Sequence, residues 1–391
     1  MAYSSSAFLI LADETASQRV AGLTQLDRLV LGLNELVEAE SSDQIVDAII
    51  FWHPNIPSAA RWLPRHPRIT RIRVTEAVTS LPPDSRVLHT ALFIRRGGLA
   101  DFLAGTTPVT VDSVPVETIE AWNDTAAGFH RAIQTNLRPE SWQIVKNAED
   151  VIRCEKLLLS ATGKSQDGLV SRFLNRPLSR RLSQFLLHYD LTPTAWTVYA
   201  FVLPFLAFLC LAGDGYVGIL IGAIIFQIYS IVDGCDGEMA RATYQESERG
   251  GRVDDFLDML GSILFVVGLG LGLFRSRSSF YLLEGIICAA VIAINEWSLR
   301  RVKIDTAPAS EQLRDAMYPR HRRLLAQSGS ALLGDKSIWW ILQFTKRDVA
   351  IFAFMILAML DQSPWILHLW LAVSAATLIL SVRSSKAGIS S

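Results

Sequence analysis

Hydrophobic and polar positions divide the chain into two parts of different character. From Thr194 onward the sequence is dominated by apolar runs, each close to the ~20 residues that a helix needs to cross a bilayer. The polar stretch at 298–347 predicts a loop with surface helices. We therefore expect an α-helical integral membrane domain over 191–391, with six transmembrane helices at 194–213, 216–240, 253–274, 279–297, 348–361 and 364–382.

The first part of the chain alternates between strand and helix patterns. Short apolar runs at 7–12 (AFLILA) and 46–51 (VDAIIF) predict buried strands, and helix-spaced leucines between them predict a helix over 22–38. Strands that alternate with helices are typical of a mostly parallel sheet. We therefore expect a soluble α/β domain over 1–140, with further strands at 69–74, 87–93 and 108–111.

A basic connector, residues 141–190, joins the two parts. Arg172, Arg176 and Arg180 are spaced four residues apart and share one face of a helix. Pro177 interrupts the run, which favours two short helices over one. The connector is either a membrane-surface anchor, with its arginines at lipid phosphates, or part of a site that holds a substrate phosphate.

Composition supports a membrane protein and adds an orientation. Half of the residues are hydrophobic and the mean hydropathy is +0.28. The net charge of −1 favours no class of partner, and we expect no nucleic-acid partner. Basic clusters mark cytoplasmic segments, and they occur at Arg172, Arg176, Arg180 and Arg181, at Arg320, Arg322 and Arg323, and at Arg383 and Lys386.

The N-terminus and the cysteines exclude other classes. The opening MAYSSSAFLILADE has no basic region before its short apolar run, so it does not resemble a signal peptide. The first domain is therefore expected in the cytoplasm. The four cysteines form no CxxC pair, which argues against a zinc site or a disulfide framework.

Candidate chemistry lies where the second and third apolar runs meet. Asp233 and Asp236 are three residues apart and Asp254 and Asp258 are four apart, so each pair shares a helical face. If the two helices form a hairpin, the four carboxylates converge and repel one another unless a cation is present. Oxygen ligands suit Mg²⁺, Mn²⁺ or Ca²⁺, and two such ions would suit a pyrophosphate. The alternative, a solvated acidic loop, predicts no fixed spacing.

The same segment resembles the CDP-alcohol phosphotransferase family, whose motif is DxxDGxxARx8GxxxDxxxD. All eight fixed positions are present: Asp233, Asp236, Gly237, Ala240, Arg241, Gly250, Asp254 and Asp258. The resemblance implies six membrane helices, often in a homodimer, in a lipid bilayer. It also implies two divalent ions, Mg²⁺ or Mn²⁺, and a CDP-alcohol bound near the cytoplasmic surface.

The resemblance also implies a role for each residue of the motif. Asp233, Asp236 and Asp254 would be metal ligands, and Asp258 would complete the metal site and act as the general base on the acceptor hydroxyl. CMP would be the leaving group. The upstream LTPTAWT resembles the family's entry to the first membrane helix, with Thr194 in place of the usual Asn. CDP contacts would come from Gly237, Ala240, Arg241, Gly250 and Thr197.

Two further segments, GKSQDGLVSRFLNRPLSRRLS and FTKRD, resemble a subgroup of that family. Its members are bifunctional inositol-1-phosphate cytidylyltransferase / di-myo-inositol-phosphate phosphate synthases, in which the soluble domain makes CDP-inositol. This chain lacks the glycines of the nucleotide loop LAAGxGxR, on whose backbone phosphates pack. It has LADETASQR instead, with Asp13 and Glu14 and only Arg19 as a matching basic residue. The first domain is expected to be nucleotidyltransferase-like with lost or altered activity.

Three hypotheses for the function remain at this point. The first is phosphoalcohol transfer to a soluble alcohol or phosphoalcohol acceptor. The second is phospholipid synthesis from CDP-diacylglycerol, and the third is a non-catalytic nucleotide-binding membrane protein, against which the intact aspartate set argues. For Glu284 and Glu296, near the two ends of the fourth apolar run, two placements remain open: the bundle interior, or the interface without a special role, which is more common for charges near helix ends. Candidate ligands for the acceptor phosphate are Lys164, Arg181, Lys346 and Arg347.

Overall fold

The contacts between residues group the chain into two compact units. A computed structural model describes residues 7–39, 45–76, 85–105, 110–111, 119–136, 142–160, 167–213, 215–305 and 346–387. The first unit comprises Met1–Thr162, Gln184–Asp190 and Glu238–Gln245. The second comprises Gly163–Ser183, Leu191–Gly237 and Glu246–Ser391. The three-part division with boundaries at 140 and 190 remains a prediction.

The first unit is built on a mostly parallel sheet, as the alternating pattern predicts. In the described part of the chain the sheet has the strand order β5-β4-β1-β6-β8, in which only the β6–β8 pair is antiparallel. Two small antiparallel pairs, β2–β3 and β7–β9, complete the strands. The strands are β1 (Phe8–Ala12), β2 (Arg19–Val20), β3 (Leu23–Thr24), β4 (Val46–Trp52), β5 (Ile72–Glu76), β6 (Ser85–His89), β7 (Leu92–Ile94), β8 (Thr110–Val111) and β9 (Trp142–Ile144).

Helices pack onto this sheet through their apolar faces. All five residues of β1 are buried, as expected for a central parallel strand covered on both faces. The predicted helix at 22–38 forms as α1, and its Leu26 and Leu33 are fully buried in the same core as β1. The helices of the first unit are α1 (Gln25–Ala39), α2 (Leu99–Gly105), α3 (Ile119–Asn136) and α4 (Ala148–Ser160).

Two predicted strands differ in detail from those observed. The run at 87–93 is divided by a turn at Thr90 and Ala91, so it contributes to both β6 and β7. The strand expected at 69–74 begins at Ile72 instead. Of the run at 108–111, Thr110 and Val111 form β8, and residues 108 and 109 lie outside the described residues.

The last part of the connector, residues 169–186, forms one continuous helical stretch. A π-helical turn, Ser171–Asn175, runs directly into α5 (Arg176–Leu186). Pro177 is the second residue of α5, directly after the π-helical turn, and the helix continues through it. The expectation of two short helices broken at Pro177 is therefore wrong.

In the part of the chain that the structure describes, the rest of the second unit consists mainly of helices. Four stretches are long and apolar enough to cross a membrane: Pro193–Leu211, Tyr216–Thr243, Glu248–Ser276 and Phe280–Trp297. They coincide with the first four predicted spans. The helices after the connector are α6 (Pro193–Ala200), α7 (Val202–Leu211), α8 (Tyr216–Val232), α9 (Gly234–Thr243), α10 (Glu248–Ser276), α11 (Phe280–Asp305), α12 (Arg347–Met359) and α13 (Ser363–Ala387). Residues 238–243 of α9 belong to the first unit.

The fifth and sixth predicted spans fall on α12 and α13. Both segments are helical, but α12 has only 13 residues. The predicted loop at 298–347 is helical up to Asp305, the end of α11, and residues 306–345 lie outside the described residues. The count of six membrane helices therefore remains a prediction.

Candidate active site

The ends of two consecutive helices bring three aspartates together. Asp233 separates α8 from α9, and α10 starts at Glu248 after Ser247 accepts a hydrogen bond of 3.0 Å from the Gly250 N–H as its N-cap. One carboxylate oxygen each of Asp233, Asp254 and Asp258 lies within 4.8 Å of the other two. This is the carboxylate cluster that the sequence spacing predicts, with three of its four members.

Asp236, the fourth predicted ligand, lies outside this cluster. Its Oδ2 accepts a 2.6 Å hydrogen bond from the Thr197 hydroxyl, and its Oδ1 accepts one of 2.5 Å from the Gly237 N–H. Thr197 itself is buried in α6. In this structure Thr197, expected at the nucleotide, therefore orients Asp236.

The chemistry of the three clustered side chains fits a hard divalent cation. Carboxylates this close together repel one another unless a positive charge lies between them. Among the described contacts, Oδ1 of Asp233 is buried and has no hydrogen-bond partner. All the available ligand atoms are oxygens, which Mg²⁺ and Mn²⁺ prefer.

A guanidinium group brings positive charge to the aspartates. Arg347, the first residue of α12, forms an ion pair with Oδ2 of Asp258, and its Nη1 lies 4.0 Å from Oδ2 of Asp233. Of the three predicted acceptor ligands that the structure describes, Arg347 is thus the one placed at the aspartates.

The two other candidates that the structure describes have different surroundings. Lys346 is almost buried, and its Nζ donates a 3.1 Å hydrogen bond to the main-chain oxygen of Asp167 in the connector. Arg181 is exposed on α5. Lys164 lies outside the described residues.

Tyr229 is a site residue that the sequence reasoning missed. Its side chain is 1% exposed, and its hydroxyl donates a 2.9 Å hydrogen bond to Oδ1 of Asp258. Tyr229 precedes Asp233 by four residues on α8, so both lie on one face. This four-residue spacing is the sequence signal by which Tyr229 could have been identified as a site residue.

Gly250 lies where two chain segments approach closely. A Cβ at this position would lie 3.1 Å from the Thr194 hydroxyl oxygen and 3.0 Å from that of Ser247. A larger residue would therefore require these two hydroxyl groups to shift. Thr194, which stands in place of the family's Asn, lies directly beside this glycine.

A buried acid pairs with a partly exposed imidazole elsewhere in the second unit. Glu284 on α11 is 5% exposed, and its Oε1 lies 2.5 Å from Nδ1 of His368 on α13. Of the two placements considered for Glu284, its burial favours the interior of the helix bundle. The two residues are 84 positions apart, so no local pattern could have paired them.

In the first unit, polar side chains fill the edge where nucleotides commonly bind. Ligands of doubly wound sheets bind at the carboxyl ends of the strands, where the strand order reverses. Here Asp13 follows β1 and Thr90 follows β6 at that point. Oδ1 of Asp13 accepts hydrogen bonds from the Thr15 N–H at 2.9 Å and the Thr90 hydroxyl at 3.3 Å.

His89 adds a buried imidazole to this polar network. Its Nδ1 accepts a 2.9 Å hydrogen bond from the Ala91 N–H, so its other nitrogen carries the proton, 3.9 Å from Oδ2 of Asp13. Burial lowers the pKa of His89 to about 4. The site is thus a closed, neutral-imidazole network around one carboxylate, without the glycine loop that a nucleotide needs.

The helical fold and the aspartate cluster define a membrane protein with a candidate divalent-metal centre. Residues 190–318 match the model of the CDP-alcohol phosphatidyltransferase family. The C-terminal region of this chain therefore carries a CDP-alcohol phosphatidyltransferase domain.

Curated relatives share the same region. The chain is 38% identical over 133 residues to a bifunctional IPC transferase and DIPP synthase of Archaeoglobus fulgidus, covering 34% of this chain and 26% of that protein. For the protein of that name in Rubrobacter xylanophilus the identity is 35% over 156 residues, or 39% of this chain and 35% of that protein. An archaetidylinositol phosphate synthase of Pyrococcus horikoshii is 33% identical over 115 residues, or 29% of this chain and 58% of that protein.

These matches cover only part of each protein. The chain spans about a quarter to a third of the length of the bifunctional relatives cited above. The comparisons therefore support the chemistry of the C-terminal region, and the activity of the whole protein is a matter for proposal.

Proposed function

We propose that this protein is a CDP-alcohol phosphotransferase that moves a phosphoalcohol from a CDP-alcohol to an acceptor hydroxyl and releases CMP. The observation that carries the proposal is the convergence of Asp233, Asp254 and Asp258 at the spacing of the family's motif. The names of the relatives favour an inositol-phosphate type of reaction.

The proposed step is a displacement at the phosphorus that carries the alcohol. Asp258 takes the proton of the acceptor hydroxyl, and that oxygen attacks this phosphorus. The bond from the phosphorus to the bridging oxygen breaks, and CMP leaves with its electron pair. Divalent ions, two in the proposal, would neutralise charge on the diphosphate when bound. Asp233, Asp254 and Asp258 would be the ligands of these ions. Asp236 would become a further ligand once its hydrogen bond with Thr197 is broken.

CDP binding is proposed for the residues around these aspartates. Gly250 lets the start of α10 lie close to α6, because any side chain there would meet Thr194 and Ser247. Arg241, with its permanent positive charge, would bind the diphosphate. The proposed CDP contacts are Gly237, Ala240, Arg241, Gly250 and Thr197.

Arg347 is the best-supported candidate for the acceptor phosphate. It reaches the proposed base, Asp258, so a phosphate bound to it would place the acceptor near the reacting atoms. Arg181 on the exposed face of α5 could add to this site, whereas Lys346 is held by the main chain of Asp167. Lys164 stays a candidate on sequence grounds alone.

The membrane arrangement is part of the proposal. It comprises six membrane helices over 191–391, a first domain over 1–140 and a connector over 141–190 on the cytoplasmic side, and a homodimer. The four apolar stretches and the basic clusters support the arrangement. No nucleic-acid partner is proposed.

The first domain is proposed to have lost cytidylyltransferase activity. The Asp13 carboxylate accepts hydrogen bonds from the Thr15 N–H and the Thr90 hydroxyl, so these donors are not free to bind a phosphate. The carboxylate also places a negative charge where the phosphate would bind. CTP and inositol-1-phosphate should therefore give no CDP-inositol. Clear formation of CDP-inositol would contradict this part of the proposal.

A second candidate is the same chemistry with a lipid partner. The similarity to an archaetidylinositol phosphate synthase is the observation that favours it. The donor would then be a CDP-activated lipid such as CDP-diacylglycerol. Because the aspartate site would be the same, only the substrates distinguish the two.

A transfer assay tests both candidates. The purified chain is given Mg²⁺ and labelled CDP-inositol or CDP-diacylglycerol, with inositol phosphates and free alcohols as acceptors, and CMP release is measured. We expect release with CDP-inositol, and its loss when EDTA removes the metal. Release with the lipid donor alone would select the second candidate, and none with any donor would contradict the proposed function.

A further inference from the structure

Two arginines of the first unit bind main-chain oxygens at the end of α9. Nη1 of Arg28, on α1, donates a 2.9 Å hydrogen bond to the oxygen of Ala242. Nη1 of Arg96, in the turn after β7, donates one of 2.9 Å to the oxygen of Arg241. The last carbonyls of a helix have no partner within the helix and carry partial negative charge, so cations stabilise them.

Arg28 is held in place before it reaches the helix. Its side chain is buried, and its Nη2 donates a 2.5 Å hydrogen bond to the oxygen of Val20. Burial lowers the pKa of Arg28, which shows that removing this charge from water is costly. Its described hydrogen bonds go to main-chain oxygens, one of them at the end of α9.

Arg96 is fixed by a second set of contacts. Its guanidinium makes an ion pair with Glu35 of α1, with Nε 2.8 Å from Oε1, and lies 4.4 Å from the centre of the Tyr244 ring. Tyr244 follows α9 and has a φ of +57°, a conformation that residues other than glycine rarely adopt. The stacked arginine thus supports the strained residue that ends the helix.

The helix that these arginines hold carries part of the proposed site. Asp236, Gly237 and Arg241 all lie on α9, which is continuous from Gly234 to Thr243. At about 1.5 Å per residue, Asp236 and Ala242 are about 9 Å apart along the axis. Because an α-helix is stiff over this length, fixing its last carbonyls also restricts the positions of its first residues.

We propose that Arg28 and Arg96 are positioning residues that clamp the end of α9, and that this clamp is the working role of the first domain. The inference rests on the proposed function of the motif, which makes α9 the helix that binds CDP. It gives the domain a task that needs neither a nucleotide nor a glycine loop.

The test compares Arg28→Met and Arg96→Met in the full chain with Arg61→Met. The control removes one arginine of the same domain, whose described bonds go to the Ile56 oxygen and to Glu76. Two properties are measured: hydrogen exchange of the peptide 238–247, and binding of CDP in the presence of Mg²⁺. We expect both variants, but not the control, to exchange about tenfold faster and to bind CDP about tenfold more weakly.

Further variants keep the test decisive. Arg96→Lys should be intermediate, because lysine supplies a single charged point in place of the planar fork. If Arg28→Met does not fold, the two substitutions at Arg96 carry the comparison.

Unchanged exchange and unchanged CDP binding would overturn the inference, as would faster exchange with unchanged CDP binding. If the wild-type chain does not bind CDP, the proposed function fails instead, and hydrogen exchange still decides whether the arginines hold the helix.

Discussion

Tyr229 keeps one oxygen of Asp258 oriented from inside the helix bundle. Its hydroxyl donates to Oδ1 while Arg347 contacts Oδ2, so both carboxylate oxygens have a defined partner. A base that must accept a proton along one direction benefits from such fixation. We therefore regard Tyr229 as a positioning residue.

Tyr229→Phe is expected to slow CMP release about tenfold or more without unfolding the protein. The substitution removes one hydrogen bond to a charged group, which contributes about 1.5–3 kcal/mol. The rate constant at saturating donor is the quantity to measure. Tyr281→Phe, an equally small change on α11, is the control, and equal rates for the two variants would contradict the assigned role.

For single residues, the sequence identified the aspartates of the cluster but not the side chains that contact them. Asp233, Asp254 and Asp258 stand at fixed spacings on two neighbouring helices, so their convergence followed from helical geometry. The contact of Arg347 with Asp258 spans 89 positions and depends on tertiary packing. Asp236 also differs, because the neighbouring Thr197 hydroxyl competes for its carboxylate.

Among the elements, α10 depends on glycine where it meets α7. A Cβ on Gly272 would collide with the main-chain oxygen of Leu211, and a main-chain atom cannot rotate away. Gly251, on the same helix, has no atom within 4 Å of such a Cβ. The two positions therefore provide a matched pair.

Gly272→Ala is expected to destabilise the membrane domain by about 1–3 kcal/mol, the usual cost of overpacking. Gly251→Ala should be neutral or slightly stabilising, because alanine favours the helix by up to about 1 kcal/mol. Thermal unfolding in detergent measures both. A lower transition temperature for Gly251→Ala than for Gly272→Ala would contradict the close contact between Gly272 and the Leu211 oxygen.

Elements were predicted well where periodicity was strong. The apolar runs located the four spans, and the alternating pattern located the parallel sheet. Predictions failed where local geometry decided: the π-helical turn absorbed Pro177, and a two-residue turn divided the strand at 87–93. Neither feature leaves a periodic trace in the sequence.

For the molecule as a whole, His89 makes the first unit sensitive to acid. Burial lowers its pKa from 6.5 to about 4, so the unfolded chain binds the proton more readily. The stability that His89 contributes is complete above pH 6.5 and is lost as the pH falls towards 4. Between pH 7.5 and pH 5 the expected loss is about 2 kcal/mol.

Pulse proteolysis in urea at the two pH values measures this loss. His89→Asn keeps an acceptor for the Ala91 N–H but does not titrate, so its stability should change less with pH. If the variant and the wild type lose the same stability, His89 is not the group responsible.

The central claim is that the cluster of Asp233, Asp254 and Asp258 performs the transfer. The most direct measurement is the rate of CMP release with Mg²⁺ for Asp258→Asn and Asp255→Asn. Both substitutions remove one negative charge from α10, but Asp255 is exposed and lies outside the cluster. We expect a loss of about 10²–10⁴-fold for Asp258→Asn and a nearly normal rate for Asp255→Asn. Equal rates for the two variants would contradict the central claim.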